Sequence, residues 1–159
     1  MQKISDEEFV KIFKREVSSD LSEEKILKLK PVILERIDLL SDIKKMKSEG
    51  ELDYYFNTPQ YDIKKVVWKK STSEDTHKHL SKVKEIIEKE NIDEMSQEEI
   101  KDSIWSYADE NGRGDVLWPL RYCLSGVDKS PDPFTLIYIL GKQESLARIE
   151  KAIEKLKNA

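Results

Sequence analysis

The sequence is short of the residues that punctuate a chain, with five glycines and five prolines among 159 residues. That scarcity argues against a β-sandwich with its many turns and for long helices. Cysteine is nearly absent: Cys123 stands alone and cannot close an internal disulfide, which agrees with a reducing compartment. No apolar run approaches the roughly 20 residues that span a bilayer. The opening residues, MQKISDEEF, lack the basic-then-apolar order of a secretion signal. The expectation is therefore a cytoplasmic chain that does not enter a membrane. No loop of the GxxxxGK(S/T) or GxGxxG kind is present to cradle a phosphate.

What the chain has in quantity is charge and spaced apolar residues. Charged and apolar residues make up 38% each, enough for a core inside a charged shell. The length suits one medium domain or two small helical subdomains sharing a core. A net charge of −4 weighs against a nucleic-acid partner. It does not exclude one, because an acidic protein can hold RNA through a local basic face.

The pattern is helical almost throughout. Ser5 with Glu8 makes a capping box, and Phe9, Ile12, Phe13 and Val17 then recur at helical spacing, predicting a helix over 6–17. Ser22 and Lys25 open a second segment carrying Ile26, Leu27 and Leu29, which Pro31 is expected to interrupt or restart. From Val32 the positions Ile33, Leu34, Ile37, Leu40 and Ile43 track one face as far as Ser48-Glu49-Gly50. The stretch 51–73 is less regular. Tyr54, Tyr55 and Phe56 form an aromatic knot, Pro59 breaks the chain, and IKKVVWKK (63–70) reads as a strand or an extended link between two helical halves. Ser73 and Thr76 lead into a helix carrying Leu80, Val83, Ile86 and Ile87. Ser96 with Glu99 is a second capping box, followed by Ile100, Ile104, Trp105 and Ala108. NGRG (111–114) reads as a loop, then come helices over 115–124, 131–141 and 143–157, with Gly141 separating the last two. The fold class is all-α.

Chemistry is hard to find. His77 and His79, spaced i, i+2 on a helix, face different ways and cannot grip one metal. Cys123, between Tyr122 and Leu124, reads as a packed thiol. The acidic residues read as solvated helix faces, so no catalytic residue and no metal site is nominated. Two features remain. KKVVWKK (64–70) interleaves Trp68 with lysines, as in a surface that stacks a base, or else forms a basic edge whose tryptophan turns inward. In the block 117–153, Arg121 is either a buried ion-pair partner or a fork offering parallel donors to a base.

This second block resembles the C-terminal end of bacterial-type glutamyl-tRNA synthetases. The elements are Pro119-Leu120-Arg121, Leu124-Ser125-Gly126, Ser130-Pro131, Leu140-Gly141-Lys142-Gln143-Glu144-Ser145 and Arg148 in LARIEKAI. Upstream, ERIDLLSDI (35–43) is similar to the family's Arg-x-x-x-Leu helix and YYF (54–56) to its aromatic segment. The resemblance is dense over 111–157, recognisable over about 25–70, and weak over 1–20 and 71–100. It implies two helical anticodon-binding subdomains, over 1–70 (with the linker) and 71–159, forming a helical bundle. The family's catalytic nucleotide-binding domain, with its HIGH-like and KMSKS-like motifs, has no counterpart here. ATP and Mg2+ would belong to that missing part, leaving this chain without a cofactor and inactive by itself in attaching glutamate.

The same resemblance implies a partner, the anticodon stem-loop of glutamate tRNA, rather than DNA or a membrane, met by a monomer. Arg36 is expected at the third anticodon base, and Arg121 with Ser130 at the first. Backbone groups around Pro131, Pro133 and Phe134 would line the same pocket. Trp118, Lys129 and Trp68 are candidates for stacking or backbone contacts; Trp118 stands where the family varies. The residue types suit the task, since a guanidinium offers two coplanar donors and a hydroxyl both gives and accepts. Other roles stay open: Arg36 paired with Glu35 or Asp38, and Ser130 as cap of a helix beginning at Pro131. A rival reading is a helical protein–protein interaction module with no RNA ligand.

Overall fold

The computed structural model describes residues 4–69 and 71–158, and every regular element among them is helical. Lys70, the last residue of the basic run, lies outside them. The chain divides into two units, Met1–Phe56 and Asn57–Ala159.

In the first unit, helix α1 (Asp6–Glu16) begins where Ser5 Oγ accepts from the Glu8 amide at 3.1 Å. Its first turn is acidic and its last basic, in step with the helix dipole. Phe9 and Phe13 are wholly buried. Helix α2 (Glu23–Arg36) starts at Ser22 and runs through Pro31 without interruption. Proline is tolerated there because it lies on the exposed side, while Ile26, Leu29 and Ile33 hold the opposite side in the core.

The helix expected to continue to residue 48 stops at Arg36 instead. Ile37 is extended (φ −119°, ψ 149°) yet buried. The Asp42 carboxylate accepts from the Asp38 and Leu39 amides at 3.3 and 3.1 Å, folding a turn that opens α3 (Asp42–Ser48). Helix α3 closes on Gly50 at φ +79°, with the Glu51 amide donating back to Met46 O at 3.0 Å. A left-handed residue followed by this longer bond is the Schellman closure, and glycine adopts it without strain. The aromatic knot is a single helical turn, α4 (Asp53–Phe56), that buries Tyr55.

The second unit starts earlier than the expected boundary at residue 70. The reason is packing: Ile63–Val66 form a 3₁₀ turn, not a strand, and lie against the long helices through a fully buried Val66. Helix α5 (Ser73–Lys89) lies along α9 (Lys142–Lys157), and α7 (Arg113–Ser125) touches α5, α6 (Gln97–Asn111), α8 (Pro133–Leu140) and α9. Both capping-box bonds of α6 form, Glu99 N to Ser96 Oγ at 3.1 Å and Ser96 N to Glu99 Oε1 at 3.0 Å. The NGRG loop shrinks to Gly112, because Arg113 and Gly114 already belong to α7.

Arg148 anchors this unit from inside, with 3% exposure. Its Nη1 donates to Leu124 O at 2.6 Å, Nη2 to Asn57 O at 3.3 Å, and Nε to Glu144 Oε1 at 2.9 Å. Among the described residues, no helix is long and apolar enough to cross a membrane.

Candidate nucleic-acid interface

Residue Arg121 leaves the last turns of α7 toward the turn that leads into α8. Its Nη1 donates to Ser130 O at 3.2 Å and to Ser130 Oγ at 3.4 Å. The guanidinium carbon sits 5.3 Å from the centre of the Trp118 ring, one turn back on the same helix. Arg121 is half-buried, and among the described residues it makes no ion pair, so its charge is not cancelled by a carboxylate. The buried ion-pair alternative is thus set aside. Ser130 does not cap α8 either. Asp132 does, its Oδ1 accepting from the Thr135 amide at 2.9 Å with Pro133 as first helical residue, while Ser130 Oγ donates to Pro131 O at 2.9 Å. The capping role moves two residues on because an aspartate immediately before a proline already supplies the acceptor.

Trp118 is half-buried, and its indole Nε1 donates to Lys65 O at 2.8 Å. With Trp68, Lys65, Val67, Lys69 and Asp128 it lines a hollow of about 390 Å³. The Trp68 ring lies over Gly114; a Cβ built there would meet the ring's Cζ2 and Cζ3 at 2.5 and 2.6 Å. The glycine inside α7 therefore leaves room for the indole to pack. Lys69 Nζ stands 4.9 Å from the centre of the Trp68 ring, and Lys129 is exposed in the following turn. The hollow is thus aromatic-walled and rimmed mainly by cations, within a chain of negative net charge.

Pro133 and Phe134 line a different cleft, of about 620 Å³, together with Trp105, Leu117, Lys101 and Gln97. Phe134 is only 5% exposed and meets Trp105 edge-on at 6.3 Å. Lys101 Nζ and Arg113 Cζ lie 5.0 and 4.9 Å from the centre of the Trp105 ring. Pro131 is half-buried in the turn. Helical spacing alone puts Trp105 on an apolar face and gives no hint of this cleft. The available signal was Lys101 four residues before Trp105, which puts a cation and an aromatic on one helical face.

Arg36 belongs to the first unit, as the last residue of α2. Its side chain is 54% exposed, and Nη2 donates to Glu51 Oε1 at 2.7 Å. Its partner is neither Glu35 nor Asp38.

The remaining chemistry-bearing groups are built into the scaffold. The Cys123 thiol donates to Leu120 O at 3.2 Å, and burial pushes its pKa well above the ordinary thiol range. His79 Nδ1 is 2.8 Å from the Tyr107 hydroxyl, whose pKa burial raises. Among the described residues, no group of three or more His, Cys, Asp or Glu side chains is placed to hold a metal ion.

Comparison with known proteins identifies the family. Residues 7–153 match the family described as "Anticodon binding domain". The glutamate–tRNA ligase of Clostridium acetobutylicum is 35% identical over 134 residues, covering 81% of this chain and 26% of that protein. That of Clostridium botulinum (strain Eklund 17B / Type B) is 34% identical, covering 99% of the chain and 33% of the relative. The crystal structure of a glutamate tRNA ligase from Elizabethkingia meningosepticum, in complex with its amino acid, superposes with a TM-score of 0.77 at 30% identity, covering 96% of this chain and 30% of that one. The chain spans about a quarter to a third of the length of these relatives. A helical match over nearly the whole chain makes this protein a member of the anticodon-binding domain family, of the kind similar to glutamate–tRNA ligases.

Proposed function

We propose that this chain binds tRNA at the anticodon loop, with glutamate tRNA as its ligand, and so serves a glutamate–tRNA ligase activity carried outside it. Arg36 is assigned to the third anticodon base, and Arg121 with Ser130 to the first. Trp118, Trp68 and Lys129 supply stacking and backbone contacts. The domain itself needs neither ATP nor Mg2+.

The observation that carries this reading is the setting of Arg121. Its partners are a carbonyl and a hydroxyl, not a carboxylate, beside a tryptophan face and a cation-rimmed hollow. Both bonds to Ser130 come from Nη1, leaving Nε and Nη2 as donors for the edge of an unpaired base. By analogy with base discrimination in DNA, such a contact is worth about 1–3 kcal/mol.

The test is a fluorescence-anisotropy titration of Arg121→Ala against a cognate anticodon stem-loop and one changed at the first anticodon base. Arg121→Ala should weaken the cognate loop about 5- to 150-fold more than the altered one. Equal losses on both RNAs would remove base reading and leave only charge. Binding should also fall steeply with salt, as phosphate neutralisation requires. Capture of a protein partner insensitive to RNase and salt would favour the interaction-module reading instead.

A further inference from the structure

Glu51 is an unexpected neighbour for an arginine assigned to RNA. Its backbone is fixed by the closure of α3, since Gly50 is left-handed, the Glu51 amide bonds Met46 O, and Leu52 is 1% exposed. The carboxylate is therefore presented from a rigid mount to Arg36 Nη2 at 2.7 Å. With side chains 54% and 36% exposed, the pair contributes at most about 1 kcal/mol to stability. Stability alone gives little reason to spend a carboxylate here.

Its effect on recognition is larger. A guanidinium carries five donors in a planar fork, and one bond to Nη2 leaves a complete two-donor edge. The ion pair also cancels most of the long-range charge of Arg36, which is what a phosphate feels, while short-range hydrogen bonding to a neutral base edge survives. We propose that Glu51 is a positioning and specificity-determining residue: it orients Arg36 and neutralises it, so that the arginine reads a base edge and is not captured by the RNA backbone. This rests on the anticodon reading given above. Leu39, 64% exposed three residues further on, is held outward on the turn that Asp42 fixes.

The experiment uses the whole chain and two anticodon stem-loops, with cytosine or guanine at the third position, titrated across salt. The proteins are wild type, Glu51→Gln, Arg36→Ala and the double variant, with helix content checked by circular dichroism. Glu51→Gln keeps an acceptor at the same place and removes the charge. It should bind both loops, lower the cytosine-to-guanine preference by roughly three- to tenfold, and steepen the log–log salt slope by about 0.7, the value for one single-strand phosphate. In the Arg36→Ala background it should not change the preference further.

If Arg36→Ala loses the preference while Glu51→Gln keeps the wild-type preference and slope, Glu51 has no such role and the anticodon reading stands. A preference lost equally with and without Arg36 would mean that Glu51 touches RNA directly, which overturns the proposal. Should the wild type bind both loops without preference, or Arg36→Ala retain the preference, Arg36 is not a base reader and the Glu51 proposal falls with that assignment, while binding of the loop itself is decided by the Arg121 test.

Discussion

Replacing Arg148 by methionine isolates what a buried arginine does when most of its partners are backbone carbonyls. The substitution keeps an apolar stem and removes three hydrogen bonds, to Leu124 O, Asn57 O and Glu144 Oε1. These losses are unequal. Glu144 is 42% exposed and regains water, so its share is that of a surface pair, at most about 1 kcal/mol. Asn57 is exposed, so its carbonyl is also rehydrated. Leu124 is wholly buried in the last turn of α7, where carbonyls lack intrahelical partners, and an orphaned group there costs about 1–3 kcal/mol. The sum is about 1–4 kcal/mol, corresponding to a drop in Tm on the order of 5–25 °C for a unit of this size. All three tryptophans, Trp68, Trp105 and Trp118, lie in the second unit, so tryptophan fluorescence in a urea titration follows that unit alone. A loss below about 1 kcal/mol would refute the reasoning, as would a gain of the kind seen when buried ion pairs give way to hydrophobic residues.

Two further substitutions test the local arguments. Hydrogen bonding from Ser96, its backbone amide first and its hydroxyl second, holds the Glu99 carboxyl below its usual range. A depressed folded pKa means stability present above the unfolded value near 4.3 and lost as pH falls through the folded one. The difference in Tm between wild type and Glu99→Gln should therefore shrink as pH is lowered from 6 to 3; a constant difference would separate the cap from titration. Gly114→Ala should destabilise the second unit by about 1–3 kcal/mol through overpacking, despite the better helix propensity of alanine. Trp68→Ala should make the same change tolerable, and a Gly114→Ala chain more stable than wild type would show that the indole moves aside freely.

How much of this was legible depended on whether the deciding partner was near in sequence. Ser5 with Glu8 and Ser96 with Glu99 announce two helix starts because a cap and the amide that donates to it lie three residues apart. Pro31 is expected to interrupt or restart the helix because its own chemistry disfavours a helix interior. The burial of Ile26, Leu29 and Ile33 overrode that preference. The apolar spacing from Ile33 to Ile43 looked like one helix, yet a helix, a turn and a second helix can keep the same residues inward. The side chain of Asp42 made the difference. The distant ties were not readable: Glu51 to Arg36 across 15 positions, Leu124 to Arg148 across 24, and Trp68 over Gly114. Of the expected site, Arg121 and Ser130 meet directly, while Pro133 and Phe134 open into a cleft whose Trp105 wall lay unrecognised.

The hydrogen bond from the Trp118 indole to Lys65 O has one further consequence. The indole N–H is the only donor this side chain owns, and it is already committed within the protein. Trp118 can therefore offer an incoming ring only a flat face, and a face welcomes purines and pyrimidines alike. On the proposed anticodon reading, strength and identity fall to separate side chains a single helical turn apart. On that reading, exchanging the tryptophan for another aromatic should change only the grip, whereas exchanging the arginine beside it should change which base is preferred.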